Sequence, residues 1–393
     1  MRSRMMGREP EGQDASRSAA KGAMARGGVL HRLRYTFLAA GTGLAAAGAL
    51  GGFAVPAQAA SFPAAVYTMT NSPSGNAIEA FARGANGSLA PAGTYLTGGN
   101  GGTLGSGHSI VVSPDWRTVI AVNAGSNSIS EFAATPGRLR RIATVASGGT
   151  DPDSVTMHGD LVYVLNAGSS SIAGFRLSRH GLRPIPGSRR PLGAAAQLPR
   201  QIQFNRDGRV LVADEGGSST IDTFLVARDG AAGAAITTPS VGGGPFGFDF
   251  DLAGHLLVSD AALVTGQSGA TSYDVARNGT VTANGPAVPS GQAAACWLAA
   301  AGDYAYTGNA GSGSIGEYAV APDGALTFRG STLVENNPAS RPLDEGVTAD
   351  QHYLYVLAGG LAQIVGYRVS NDGSLTQVTT VPVAAGAGGI GVS

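Results

Sequence analysis

The 393-residue sequence contains few cysteines, lysines and charged residues. Cys296 is the only cysteine, which excludes an internal disulfide and any cysteine-built zinc site. Lys21 is the only lysine, so the chain beyond residue 59 can supply neither a Schiff-base lysine nor the lysine of a P-loop. Charged residues make up 13% of the chain, about half of the usual ~25%, which argues against a long charged coiled coil.

The sequence also lacks amphipathic helices of normal length beyond residue 59. Glycine, by contrast, accounts for 61 of the 393 residues, roughly twice its usual share. Hydrophobic residues make up 43%, so composition does not predict disorder. Abundant glycine with little charge favours many short strands that are joined by tight turns.

Residues 1–59 have the three-part layout of a secretory signal peptide. Basic residues crowd the start, an apolar run extends from residue 35 to residue 55, and Ala57-Gln58-Ala59 follows as a small-residue cleavage pattern. No two arginines are adjacent within residues 1–59, which favours the general export route over the twin-arginine route. We therefore expect a signal peptide over 1–59, one folded domain over 60–393, and a secreted, periplasmic or cell-envelope location. A membrane anchor that stays attached is the alternative.

Removal of residues 1–59 would leave 18 basic and 23 acidic residues, a net charge of −5. A weakly acidic chain is a poor nucleic-acid binder, because phosphate contacts need clustered Lys and Arg. No second apolar run approaches the ~20 residues that span a bilayer. The expected partner is a small molecule, bound by a monomer without a membrane span.

A glycine-containing turn recurs at intervals of 44 to 50 residues, and its glycines are Gly87, Gly137, Gly181, Gly230, Gly279, Gly324 and Gly373. A turn of this kind between two alternating runs predicts a β-hairpin. A second marker, Asn-Ala-Gly, keeps the same register at residues 123–125, 166–168 and 309–311. Each unit of about 48 residues therefore reads as four antiparallel strands.

Seven such units predict an all-β, seven-bladed β-propeller with four antiparallel strands per blade. Residues 64–70 resemble a second strand of a unit, whereas residues 388–393 resemble first strands such as 109–113. We therefore expect the C-terminal strand to join the first blade and close the ring. An open solenoid is the alternative, but it would need capping repeats.

The propeller topology sorts the polar residues between two faces. The 4→1 and 2→3 loops form one face, here called the loop face, and the 1→2 and 3→4 turns form the opposite turn face. The candidates on the loop face are His108, Asp151, Asp153, Arg200, Glu215, Asp260, Arg341, Asp344 and Glu345. Arginines and carboxylates around one channel mouth can bind an anionic or polyhydroxyl ligand, although ordinary surface ion pairs are the alternative.

The histidines and the cysteine are assigned by the same topology. Glu215 or His108 can act as a general acid or base if its pKa lies near neutrality. The remaining histidines, His158, His180, His255 and His352, fall at turns on the turn face and are interpreted as solvated turn residues. Cys296 is interpreted as a buried small apolar residue. No metal and no cofactor are expected.

The repeats resemble those of the seven-bladed lactonase family, on segments such as Tyr163-Val164-Leu165-Asn166-Ala167-Gly168 and Pro322-Asp323-Gly324-Ala325. That family includes propeller-type 6-phosphogluconolactonases and fungal carboxymuconate lactonizing enzymes. The repeats are also similar to those of surface-layer propellers with Tyr-Val-Thr-Asn repeats. The resemblance extends over residues 60–393.

Enzymes of that family carry Pro-Arg-His at a first strand and a glutamate at the end of the next strand. Pro199-Arg200-Gln201 and Asp214-Glu215 match this pattern except that Gln201 stands in place of the histidine. Pro152-Asp153-Ser154 lies where the family places another histidine. The resemblance implies that Arg200 holds a carboxylate or phosphate. It also implies that Glu215 aids acid/base work. Together with the loop-face candidates, this leads us to expect His108 as an auxiliary to Glu215, and Gln201, Asp153 and Arg341 as residues that contact the substrate.

Two functions follow from these observations. The first is an exported hydrolase or cyclase that acts on a small polar or anionic lactone at the channel mouth. The second is a non-catalytic secreted or cell-envelope propeller that binds a ligand or a protein partner. Loss of the family histidines makes general-base activation of water harder, so the sequence leaves enzymatic activity open.

Overall fold

The computed structural model describes residues 64–104, 107–135, 138–193, 196–261 and 268–393. In this part of the chain, thirty strands form seven antiparallel sheets arranged as the blades of one ring. The helical segments among these residues are three short 3-10 turns, Ala124–Ser126, Ala167–Ser169 and Val334–Asn336. The predicted all-β, seven-bladed propeller is confirmed. The predicted signal peptide over 1–59 lies outside the described residues.

The first four blades follow the repeat order of the sequence. Blade 1 contains β1 (Ala65–Met69), β2 (Ala77–Arg83), β3 (Leu89–Leu96) and β30 (Gly388–Val392). Blade 2 contains β4 (Ile110–Val112), β5 (Thr118–Asn123), β6 (Ser128–Thr135) and β7 (Arg138–Ala146). Blade 3 contains β8 (Pro152–His158), β9 (Leu161–Asn166), β10 (Ser171–Arg176), β11 (Arg183–Pro184) and β12 (Arg190–Pro191). Blade 4 contains β13 (Pro199–Phe204), β14 (Val210–Glu215), β15 (Thr220–Leu225) and β16 (Ile236–Pro239).

The last three blades complete the ring. Blade 5 contains β17 (Pro245–Phe250), β18 (Leu256–Asp260), β19 (Gly269–Val275), β20 (Val281–Ala283) and β21 (Val288–Pro289). Blade 6 contains β22 (Ala295–Ala301), β23 (Tyr304–Asn309), β24 (Ser314–Val320) and β25 (Leu326–Leu333). Blade 7 contains β26 (Pro342–Val347), β27 (Tyr353–Ala358), β28 (Gln363–Val369) and β29 (Leu375–Pro382).

The hydrophobic core lies between neighbouring blades. The second strand of a blade is buried on both faces, so β14 has no exposed residue, whereas the outer strand β25 alternates between more and less exposed positions. One apolar cluster joins blades 1, 2 and 3, and another joins blades 6 and 7. Packing of sheet on sheet around the ring therefore replaces a single central core.

The recurring hairpin glycines lie at the 3→4 turns and contact the preceding blade. Six of the seven predicted glycines adopt φ values between +81° and +97°, a range that favours glycine, while Gly137 lies outside the described residues. The turn carbonyls accept hydrogen bonds from buried tyrosines of the neighbouring blade: Tyr163 to Gly230 (2.6 Å), Tyr306 to Gly373 (2.7 Å) and Tyr355 to Gly87 (2.8 Å). The repeat thus encodes a contact between blades as well as a turn.

The C-terminal strand closes the ring as the sequence predicts. β30 pairs antiparallel with β1, with Thr68 opposite Ile390 and Val66 opposite Val392. The buried carboxyl group of Asp344 in blade 7 accepts a hydrogen bond from the backbone N–H of Ile390 at 2.9 Å. The same carboxyl group also accepts one from the backbone of His108 at the start of blade 2. Asp344 therefore ties three consecutive blades together at the closure.

Deletion of residues 388–393 should destabilise the whole propeller. It leaves blade 1 with three strands and removes buried Ile390, and loss of such a side chain alone costs about 2–5 kcal/mol. We expect the free energy of unfolding in urea to fall by at least about 3 kcal/mol. The control is Ser393→Ala, which removes the bond from the Ala65 N–H to Ser393 Oγ (2.7 Å) and should cost about 1 kcal/mol. Equal losses in the two variants would contradict closure by β30.

Candidate functional site

A cavity of about 260 Å³ opens on the loop face between blades 3 and 4. Its polar lining consists of Thr103, Asp151, Asp153, Ser170 and Arg200. We refer to it as the loop-face cavity. It brings together Arg200 and Asp153, two of the residues predicted to bind the substrate, with Asp151, a loop-face candidate to which the sequence assigned no individual role.

Proline-initiated bulges position Asp153 and Arg200. Pro152 and Pro199 are the first residues of β8 and β13, where a strand edge tolerates a missing N–H. The pairing register then shifts, between Pro152 and Ser154 in blade 3 and between Pro199 and Ile202 in blade 4. Bulges re-aim the side chains within them. As a result, the residue after each proline lines the cavity.

The guanidinium group of Arg200 lies 4.5 Å from the ring centroid of Phe246, in blade 5. This cation–π contact orients a long side chain that would otherwise be mobile. Phe246 in turn packs edge-to-face on Trp297, with ring centroids 5.3 Å apart. Cys296 lies near the Arg200 charge, but burial raises the pKa of the Cys296 thiol to about 12, so the thiol stays protonated at neutral pH. The interpretation of Cys296 as a buried apolar residue is confirmed.

Asp151 lies at the rim of the loop-face cavity. Its backbone has φ +53°, its N–H donates to Asn127 Oδ1 at 2.7 Å, and its carbonyl accepts from Ala167 N at 2.8 Å. Partial burial raises the pKa of the Asp151 carboxyl above its usual range. A carboxylate with a raised pKa is a stronger base, which is the property needed to accept a proton from water.

Glu215 is completely buried, and it does not line the loop-face cavity. Its Oε2 accepts hydrogen bonds from Ser218 Oγ at 2.7 Å and Thr220 Oγ1 at 3.3 Å. It ends the second strand of its blade, as Asn123, Asn166 and Asn309 do in theirs. Asn123 and Asn309 also bond serines, here Ser128 and Ser314 at the start of the third strand. The geometry therefore gives Glu215 a packing role, and the acid/base role stays a prediction.

Gln201, His108 and Trp297 meet across the channel axis, although they come from blades 4, 2 and 6. Gln201 Nε2 lies 3.4 Å from His108 Nδ1. The preceding residue, Gly107, lies so close to Gln201 and Trp297 that a Cβ atom at this position would be 2.4 Å from Gln201 Oε1 and 3.4 Å from Trp297 Cδ1. The Gln201 amide also exchanges hydrogen bonds with the backbone of Phe248. Gln201 is therefore engaged in holding blades 4 and 5 together.

The sequence placed His108 on the loop face, but its side chain lines cavities on the turn face. The placement rested only on the position of His108 at the entry to the first strand of blade 2, where its backbone adopts φ +57°. Burial lowers the pKa of the His108 imidazole, so it is neutral at pH 7. Arg341 is exposed at the start of blade 7, away from the residues that line the loop-face cavity.

The other acidic candidates are buried. Asp260 accepts a hydrogen bond from Thr271 Oγ1 at 2.6 Å, Asp344 belongs to the ring closure, and Glu345 accepts one from the Gly308 N–H at 3.0 Å. His158 ends β8, and His180, His255 and His352 lie in the predicted turns. The interpretation as a solvated residue is wrong for His255, whose side chain is 12% exposed and pairs with Asp251 at 2.7 Å. Among the residues that the structure describes, no three His, Cys, Asp or Glu side chains are grouped to hold a metal ion.

Part of the chain matches the family that the repeats resemble. Residues 251–389 match the family model described as Lactonase, 7-bladed beta-propeller. A search of curated proteins finds no match. Among the residues whose positions the structure describes, no helix is long and apolar enough to cross a membrane.

Solved structures share the fold at low identity. A provisional 6-phosphogluconolactonase of Bacteroides uniformis is 22% identical with a TM-score of 0.65, over 84% of this chain and 99% of that one. The periplasmic gluconolactonase of Pseudomonas aeruginosa is 18% identical with a TM-score of 0.64, over 83% of this chain and 99% of that one. The predicted resemblance to the seven-bladed lactonase propellers is confirmed.

The stability contribution of Glu215 should depend on pH. Burial, and next the neighbouring Asp222 carboxyl, raise the pKa of Glu215 from 4.5 to about 8, so the folded state holds a proton that the unfolded chain releases. This contribution is complete below pH 4.5 and is lost as the pH rises through about 8. We expect Glu215→Gln to flatten the fall in the free energy of unfolding, measured in urea from pH 5 to pH 8.5.

Exposed Asp303 supplies the control, since Asp303→Asn should leave that pH dependence unchanged. A parallel fall in the Glu215→Gln variant and in the unchanged protein would show that Glu215 is ionised in the folded state.

Proposed function

We propose that this lactonase-type propeller hydrolyses a small polar or anionic lactone in the loop-face cavity. The observation that carries the proposal is that Arg200, Asp151 and Asp153 line one cavity. A guanidinium offers paired N–H donors to a carboxylate or to the oxygen of a developing oxyanion. The names of the similar structures, a 6-phosphogluconolactonase and a gluconolactonase, support the same reaction class.

The proposed reaction divides two tasks between Arg200 and Asp151. Water attacks the lactone carbonyl carbon while its proton passes to the Asp151 carboxylate, and Arg200 stabilises the negative charge on the carbonyl oxygen. The ring C–O bond then breaks. The proton moves from Asp151 to the leaving alkoxide, which yields the open hydroxy acid. Asp153, buried beside Arg200 in the adjacent blade, contributes to binding.

Gln201 favours the alternative function, a propeller that binds a ligand without turning it over. The amide occupies the place where the resembling enzymes carry a histidine, and its hydrogen bonds hold blades 4 and 5 together. An amide cannot accept a proton at neutral pH. In this alternative, the loop-face cavity binds a lactone or hydroxy acid and Asp151 transfers no proton.

A lactone panel with purified protein and two variants tests the proposal. Arg200→Ala should lower kcat/KM at least about 10-fold, because a charge-assisted hydrogen bond is lost. Asp151→Asn should lower kcat about 100-fold with a smaller effect on KM, because the general base is lost. Exposed Arg189 in blade 3 is the control, and Arg189→Ala should turn over lactone at the unchanged rate.

Two outcomes would contradict the assignment. Unchanged turnover in both Arg200→Ala and Asp151→Asn would place the reaction elsewhere. A larger loss of kcat in Glu215→Gln than in Asp151→Asn would restore Glu215 as the acid/base. Lactone binding without turnover by the unchanged protein would support the binding function.

We also propose that the protein acts outside the cytoplasm after cleavage behind Ala59. Expression of the full chain in a bacterial host should yield an exported product whose first residue is Ala60, as read by N-terminal sequencing. Ala57→Phe should block cleavage, because signal peptidase sites need small residues there. A cytoplasmic product that retains residues 1–59 in the unchanged protein would contradict export by this route.

A further inference from the structure

A second cavity opens on the turn face, at the opposite end of the channel from the proposed lactone site. It has two lobes, of about 450 Å³ and about 340 Å³, which share His108, Val111, Val112, Arg206, Asp249 and Phe250. We call the two lobes together the turn-face cavity. Each lobe has a larger volume than the loop-face cavity. The contact of Gln201 with His108 and Trp297 crosses the channel axis on the loop-face side of the two lobes. This volume is sufficient for a small organic ligand.

Asp249 provides the turn-face cavity with a half-buried carboxyl group. Its Oδ1 accepts hydrogen bonds from Gln203 Nε2 at 3.0 Å and the Phe250 N–H at 2.8 Å, and its Oδ2 accepts one from the Ala300 N–H at 3.1 Å. All three donors are neutral, and Asp249 makes no ion pair with any residue of the described ranges. A carboxylate offers about four acceptor sites, so one remains for a ligand.

The neighbouring ionisable groups do not neutralise Asp249. Burial lowers the pKa of His108, so its imidazole is neutral at pH 7, and burial raises the pKa of the Glu345 carboxyl well above its ordinary value. Arg206 is exposed at the rim, where its Nη1 donates to the Asp251 carbonyl at 2.6 Å. Asp251 is paired with His255. A negative charge without a cationic partner is therefore left in the turn-face cavity, which favours a cationic ligand.

Apolar side chains line the inner-strand wall of the larger lobe. They come from blades 1, 2, 6 and 7, namely Val112, Leu298, Val347 and Val392, whereas Asp251, Thr348 and Gln351 line the lobe at the 1→2 turns. A metal ion would need several oxygen or nitrogen ligands, and the described residues provide no such group. A ligand with one positive charge and an apolar body matches both the Asp249 carboxylate and the apolar wall of the lobe.

We propose that the turn-face cavity binds a small organic ammonium ion, with its N–H groups donating to Asp249 and its apolar body against Val112, Val347 and Val392. The site is separate from lactone turnover on the loop face. Burial of the apolar body supplies attraction, and the carboxylate selects the charge.

Three probes of similar shape and different charge test this site by calorimetry at pH 7: benzylammonium, benzyl alcohol and benzoate. We expect benzylammonium to bind with a dissociation constant of about 1 mM, which is reasonable for a ligand of this size. Benzyl alcohol should bind at least about 10-fold more weakly, and benzoate should not bind measurably. The absence of benzylammonium binding, or equal binding of the alcohol, would overturn the proposal.

Two variants localise the binding. Asp249→Asn should weaken benzylammonium at least about 10-fold and reduce its advantage over benzyl alcohol. Val112→Phe should block both probes by filling the cavity, which keeps the test decisive if Asp249→Asn fails to fold. Asp207→Asn, at an exposed turn of blade 4 on the same face, is the control and should bind as the unchanged protein does. Unchanged binding in folded Asp249→Asn or Val112→Phe would place the ligand elsewhere.

Discussion

The ring depends on how its seven inner strands satisfy their free edges. Each inner strand pairs with one neighbour in its own blade, so its other edge presents unpaired N–H and C=O groups to the channel. Side chains of the adjacent inner strand accept hydrogen bonds from some of these backbone N–H groups. Examples are the Ile202 N–H to Ser154 Oγ (3.2 Å), Phe248 N–H to Gln201 Oε1 (3.3 Å), Ala300 N–H to Asp249 Oδ2 (3.1 Å) and Ile390 N–H to Asp344 Oδ2 (2.9 Å).

This constraint divides the polar residues of the channel into two groups. Gln201 and Asp344 use their hydrogen bonds to link blades, and Glu215 uses its own to hold a 2→3 connection. Asp153 and Arg200 lie in bulges, outside the regular ladder, and line an open cavity. Residues of the second group line the proposed ligand site, whereas substitution of residues in the first group acts on stability before it acts on chemistry.

The sequence predicted the architecture well because the repeat itself encodes it. The recurring glycines need positive φ, the Asn-Ala-Gly marker ends the second strands, and residues 388–393 match a first strand, so blade number and closure followed. The candidate site was harder to predict. Sequence periodicity does not reveal a bulge. It therefore could not show that Arg200 lines the cavity while Gln201 holds two blades together, nor that His108 lines cavities on the turn face. Nor does it reveal that Glu215 takes the structural position of an asparagine.

Blade 1 is assembled from distant parts of the described chain, because β30 joins β1 more than 300 residues away. A nascent polypeptide on the ribosome cannot complete this sheet until residues 388–392 have left the exit tunnel. The six intermediate blades can form earlier, but the faces of blades 2 and 7 that will pack on blade 1 stay incompletely covered until then. Translation of the codons for β30 thus sets the earliest moment at which the ring closes.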